Sequence, residues 1–154
     1  MKKKNIVHII TRLINGGADE NTVISCNYSV SIGDQVFLLI GSENQKEIIH
    51  KLDKRVKLII IKNLIQPINP LKDILALIQI KSFLKKLSPD VVHTHTSKAG
   101  IIGRIAAWLN KIPLIVHTVH ILPFLNVNLF MKIFYLLVER IVAKTTHRFI
   151  NVSS

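Results

Sequence analysis

Two short stretches carry residue types suited to holding an anion. Gly16-Gly17 follows the apolar run Ile6-Val7-His8-Ile9-Ile10 and precedes a segment with helical spacing from Ala18. A glycine pair at that junction lets backbone amides approach a ligand with no Cβ in the way, beside the electropositive start of a helix. The same pair serves equally as a plain tight turn, since neither a G-x-G-x-x-G fingerprint nor a G-x-x-x-x-G-K-[ST] loop occurs. Thr96-Ser97-Lys98 is the second stretch, between a predicted strand and a predicted helix. Its hydroxyls can cap the helix. Lys98 adds a cation beside amides that typically contribute ~0.3–1 kcal/mol toward an anion. Ordinary capping with a solvated lysine is the competing reading.

Histidines supply the remaining chemistry. His8, His93, His95 and His117 fall on or beside predicted strands, and His93 and His95, two apart, share one face. His-x-His without a neighbouring carboxylate or thiol pattern is poor zinc evidence, so no metal site is expected. His120 lies beyond the fifth predicted strand, at the edge where open parallel sheets bind ligands. It is placed either to donate to a phosphate or sugar oxygen or to pack within a loop. Cys26, the single cysteine, has no internal disulfide partner and is expected as a buried free thiol.

The elements that must position these groups alternate along the chain. Apolar, β-branched runs predict strands at 5–11, 35–40, 56–61, 90–95, 113–118 and 147–152. Helical spacing predicts helices at 18–31, 46–52, 71–87, 98–110 and 127–144, with Gly33 closing the first and Ser88-Pro89 breaking the chain before the fourth strand. Gly100 and Gly103, one turn apart, are expected to let their helix pack closely on the sheet. Alternation of this kind implies an α/β, Rossmann-like three-layer fold with a parallel sheet. The segment 124–142 is apolar around most of its circumference. One stripe is Val127, Phe130, Met131, Phe134, Val138 and Ile141; another is Leu129, Ile133, Leu136 and Leu137. A helix covering one sheet face needs a single stripe. The surplus points to a bilayer surface, a lipid acceptor or another domain, or else to a deeply buried core helix.

The chain of 154 residues fits one domain, and 49% hydrophobic with 19% charged residues argues against disorder. With 21 Lys+Arg against 9 Asp+Glu, the formal net charge of +12 favours anionic partners. The lysines are scattered and no recognition motif is present, so nucleic acid is not an expected partner. The apolar run after the basic start is too short for a signal peptide, and no uncharged run reaches the ~18 residues of a membrane span. A cytoplasmic protein is expected.

Four segments in order, IVHIITRLINGGADENT, PDVVHTHTSKAGIIGRIAAW, IPLIVHTVH and ERIVAKTTHRFINVSS, together resemble the N-terminal half of a GT-B glycosyltransferase of the family 4 type. The resemblance covers nearly the whole chain. It implies two Rossmann-like domains facing a cleft, and transfer of a sugar from a nucleotide-sugar donor, usually with retention and without metal or cofactor. The acceptor implied is a glycan, often lipid-linked, at the inner membrane face, in cell-surface polysaccharide or glycolipid synthesis. By position, Gly16 and Gly17 would approach the donor diphosphate, His120 would be the catalytic contact to the transferring sugar or its phosphate, and Thr96, Ser97 and Lys98 would face the acceptor. Residues 1–154 would be the acceptor-side domain, lacking the C-terminal donor-binding domain, and inactive without that domain or a partner subunit. The alternative is a non-catalytic membrane or lipid-linked-glycan binding subunit. Many such enzymes continue His-Thr-Val-His with glycine, whereas Ile121-Leu122 follow here.

Overall fold

A computed structural model describes residues 3–120 and 129–152. The elements run β1 (Asn5–Ile10), α1 (Gly17–Ser31), β2 (Gln35–Ile40), α2 (Lys46–Ile49), β3 (Lys57–Ile60), α3 (Pro70–Leu87), β4 (Val91–His95), α4 (Ser97–Leu109), β5 (Leu114–Val119), α5 (Leu129–Ala143) and β6 (Arg148–Asn151). Every strand pairing is parallel, in the order β3-β2-β1-β4-β5-β6. The expected α/β sheet is therefore present, with boundaries displaced by a residue or two. The exceptions are α2, which stops at Ile49 and not at Leu52, and α5, whose expected start at Val127 lies outside the described residues together with Ile121, Leu122 and Pro123.

Strand alternation sends β1 side chains into two separate apolar clusters. Val7 and Ile9 pack with Ala76, Ile80 and Leu84 of α3 and with Ile102 and Ala106 of α4. Ile10 packs on the opposite face with Val23, Cys26 and Val30 of α1 and Ile48 of α2. Each fully buried aliphatic side chain contributes about 1.5–3 kcal/mol relative to exposure. Burial also pushes the Cys26 thiol up to about 12, leaving it protonated. At the carboxyl edge, Gly41 holds the strand ends together. A Cβ there would lie 1.9 Å from the Leu64 carbonyl oxygen and 2.2 Å from that of Thr11, so only glycine fits. Gly100 and Gly103 do let α4 settle on the sheet, since added Cβ atoms would lie 2.5 Å from His117 Cε1 and 2.7 Å from Thr94 Cγ2.

The described part of the surplus apolar segment, α5, is not a deeply buried core helix. Leu129, Leu137 and Ile141 are 73%, 55% and 66% exposed, and Ile133 and Leu136 are exposed as well. An ion pair joins α5 to α4 instead. Arg104, with no exposed surface, donates from Nη2 to both Glu139 oxygens at 2.7 and 2.8 Å and from Nε to the Gly100 carbonyl at 2.8 Å. Among the described residues, no helix is long and apolar enough to cross a membrane.

Candidate active site

β1 and β4 are neighbours in the sheet, and their connections leave in opposite lateral directions, making a switch point at their carboxyl ends. A cavity of about 640 Å³ opens there, and Gly16, Gly17, Thr96, Ser97, Lys98 and His120 all line it. The six residues singled out in the sequence thus meet in one place, although they come from the ends of three separate strands and the helix starts that follow two of them.

The geometry around them departs from the sequence expectations at two points. Thr96 takes φ +61° with ψ 161°, a region that non-glycine residues rarely enter and that costs on the order of 1–3 kcal/mol. So turned, its hydroxyl does not cap α4. It meets Thr11 Oγ1 at 3.0 Å, and Thr11, from the end of β1, accepts the Ala99 amide at 3.1 Å in its place. Lys98 is likewise not a solvated cation. Its side chain is 12% exposed, its Nζ lies 2.6 Å from Asp73 Oδ1 of α3, and it donates to the Pro67 carbonyl. The pair ties α3 to α4 along the cavity wall and neutralises the charge expected beside the helix start.

Cationic character comes in part from Arg12, which lines the cavity and makes a 4.0 Å contact with Glu43. At the start of α1, a Cβ on Gly17 would meet nothing within 4 Å, whereas one on Gly16 would lie 2.9 Å from Asp19 Oδ2. Gly16 therefore makes room for the first turn of α1, while the space beside Gly17 is open. Asp19 is buried in the same cavity wall, and burial raises its carboxyl above the ordinary range despite backbone hydrogen bonds and nearby Arg12.

Behind His120 stands a set of buried imidazoles. His8 and His93 are register partners on β1 and β4, and one ring nitrogen from each of His8, His93 and His95 lies within 4.8 Å of the others. Those three are the described residues best placed to hold a metal. Their nitrogens, however, make hydrogen bonds: His8 Nδ1 with His95 Nε2 at 3.1 Å, His93 Nε2 with Thr118 Oγ1 at 2.7 Å, and His95 Nδ1 with His120 Nε2 at 3.4 Å. No carboxylate or thiolate among the described residues joins them. Burial, reinforced by neighbouring imidazoles, holds His8 and His95 well below the usual histidine range and His93 down to about 4. His117 is lowered to about 3 by burial and by Arg104, and bonds Thr94 Oγ1 at 2.9 Å. His120 is lowered less, by burial alone. These rings are neutral at pH 7, and an uncharged His120 interacts with a ligand through its one N–H or its one lone pair.

Comparison with known proteins places the chain in a family and its fold among solved ones. The model of Glycosyltransferase Family 4 matches residues 7–154. A UDP-Gal:alpha-D-GlcNAc-diphosphoundecaprenol alpha-1,3-galactosyltransferase of Escherichia coli is 42% identical over 100 residues, which make up 64% of this chain and 26% of that protein. Among solved structures, MurG of Acinetobacter baumannii superposes with a TM-score of 0.70 at 15% identity, over 98% of this chain and 42% of that one. UDP-GlcNAc 2-epimerase of Methanocaldococcus jannaschii gives 0.64 at 15% identity, over 97% and 39%. The last two likenesses concern the fold, which evidently carries more than one activity. This chain spans well under half the length of each of the three proteins.

Proposed function

This chain belongs to Glycosyltransferase Family 4, and we propose that residues 1–154 form the acceptor-side domain of an enzyme that transfers a sugar from a nucleotide-sugar donor to a lipid-linked glycan, with retention. The observation that carries this reading is the convergence of Gly16, Gly17, Thr96, Ser97, Lys98 and His120 on one cavity at the switch point. The name of the Escherichia coli relative suggests UDP-galactose as donor and a GlcNAc-diphospho-lipid as acceptor.

In this reading the open backbone at Gly17, with Arg12, meets the donor diphosphate. His120 contacts the transferring sugar or its phosphate. Thr96 and Ser97 offer hydroxyls to the acceptor, and Lys98, held by Asp73, shapes the wall against which the acceptor lies. A nucleoside diphosphate is a good leaving group, so the site has mainly to orient two substrates and stabilise developing negative charge. The paired carboxylates of a glycosidase are not required. The exposed apolar residues of α5 lie beside Lys132, Arg140 and Lys144 and suit the headgroup region of an anionic bilayer. That feature supports a reading in which the enzyme works at the cytoplasmic membrane face, in cell-surface polysaccharide or glycolipid synthesis.

The opposite wall of the cleft, with the main nucleotide site, belongs to a second Rossmann-like domain or subunit. The test is an assay of galactosyl transfer from UDP-galactose to a GlcNAc-diphospho-lipid, using the 154-residue chain with and without such a domain from a family relative. Transfer is expected only in the combined sample, and His120→Ala should abolish it there. Transfer by the isolated chain would overturn the proposal.

A further inference from the structure

The three linked imidazoles determine which atom of His120 carries its proton. His95 bonds His8 Nδ1 through its Nε2, at 3.1 Å, and His120 Nε2 through its Nδ1, at 3.4 Å. A neutral imidazole has one N–H and one lone pair. His95, engaged at both nitrogens, must therefore donate at one and accept at the other, so the two bonds run in the same direction along the chain. If they run inward from His120, His8 keeps its proton on Nε2. That atom is buried and has no hydrogen-bond partner. If they run outward, His8 Nε2 is instead a bare lone pair. Orphaned buried N–H groups are rarer than under-satisfied acceptors, so the outward direction is favoured.

We propose that His8 and His95 are positioning residues that hold His120 as its Nδ1–H tautomer, so that His120 meets a bound ligand as a hydrogen-bond donor and not as a base. The outward chain runs from His8 Nδ1–H to His95 Nε2, and from His95 Nδ1–H to His120 Nε2. His120 Nε2 is then occupied as an acceptor, and the remaining proton sits on Nδ1. His93 packs beside both inner rings, with ring centroids 5.0 Å from His8 and 4.2 Å from His95, but its Nε2 is engaged by Thr118 and it stands outside the relay. His117 faces Thr94 on the other side of the sheet and is likewise separate. A donor at His120 suits a phosphate or sugar oxygen and cannot take the proton of an attacking hydroxyl. The ligand side of this inference rests on the function proposed above; the tautomer itself does not.

The experiment is two-bond proton–nitrogen correlation NMR of the 154-residue chain labelled with ¹⁵N-histidine at neutral pH, where the N–H and lone-pair nitrogens of a ring resonate far apart. His8, His95 and His120 should all be Nδ1–H, the minor form of free imidazole. In His95→Phe, His120 should revert to predominantly Nε2–H. Should that variant fail to fold, His95→Leu and His95→Asn supply the same test. Leu removes the direct donor and should release His120, whereas the Asn amide N–H, standing where His95 Nδ1–H did, should preserve its tautomer. His120 found as Nε2–H in the native chain, or still Nδ1–H after the donor is removed, would overturn the inference. Neither result depends on sugar transfer, so a failed transfer assay and a failed relay are separate events.

Discussion

β2 and β4 flank β1 on its two sides, both parallel to it, yet they bury opposite kinds of side chain. On β2, Val36, Phe37, Leu38, Leu39 and Ile40 are all buried and feed both apolar clusters. On β4, Thr94 and His95 have no exposed surface, and β5 adds buried His117 and Thr118. Burying such groups costs free energy unless each finds a partner. Here they do: Thr94 with His117, His93 with Thr118, and His95 with two further histidines. The apolar half is scaffold. The polar half lies against the cavity, and its hydrogen bonds orient the groups that face it.

The comparison breaks most visibly at the buried ion pair of the polar half. Glu139→Gln leaves the Arg104 guanidinium fully buried with no carboxylate, and should lower unfolding stability by about 3–5 kcal/mol in chemical denaturation. The double variant Arg104→Met/Glu139→Leu should lose far less, since no orphaned charge remains. Equal losses in both would mean that α5 is held by packing alone.

Acid should sharpen the contrast. His117 and His93 have native pKa values depressed to about 3 and about 4, against an ordinary value near 6.5. Above pH ~6.5 both folded and unfolded forms are neutral and the groups contribute no pH dependence. Below it the unfolded chain takes up protons first, so stability falls as pH falls toward the native values. His117 alone accounts for about 1.4 kcal/mol per pH unit. The denaturation midpoint should therefore drop between pH 7 and pH 5, with amides of β4 and β5 exchanging before those of β2. A flat profile would contradict the buried neutral histidines. The smallest stability effect belongs to the exposed face of α5. Leu137→Ser should change stability by less than about 0.5 kcal/mol, yet weaken co-sedimentation with anionic vesicles. Unchanged binding would remove the bilayer from the proposal.

Local patterns explain why the fold was readable. Runs such as QVFLLI at 35–40, and punctuation by Gly33 and by Ser88-Pro89, mark their elements without reference to distant residues. The candidates that line the cavity could be picked out because each sits at a strand end or helix start. Its wiring was not. Thr11 caps a helix 88 positions later, Lys98 pairs with Asp73 from another helix, and His8 meets His93 and His95 only because β1 lies next to β4. Those contacts depend on strand order, and no short window of sequence encodes it. The Arg104–Glu139 pair is hidden for the same reason, since the two residues lie on different helices.

The claim that the switch-point cavity receives a lipid-linked acceptor is tested most directly by amide chemical-shift mapping. The ligand is a short-chain, soluble analogue of GlcNAc-diphospho-lipid, titrated into the 154-residue chain. Saturable shifts centred on Thr11, Gly17, Thr96, Ser97, Lys98 and His120 are predicted. Saturable shifts confined to the far edge of the sheet at β3, or none at all, would contradict it.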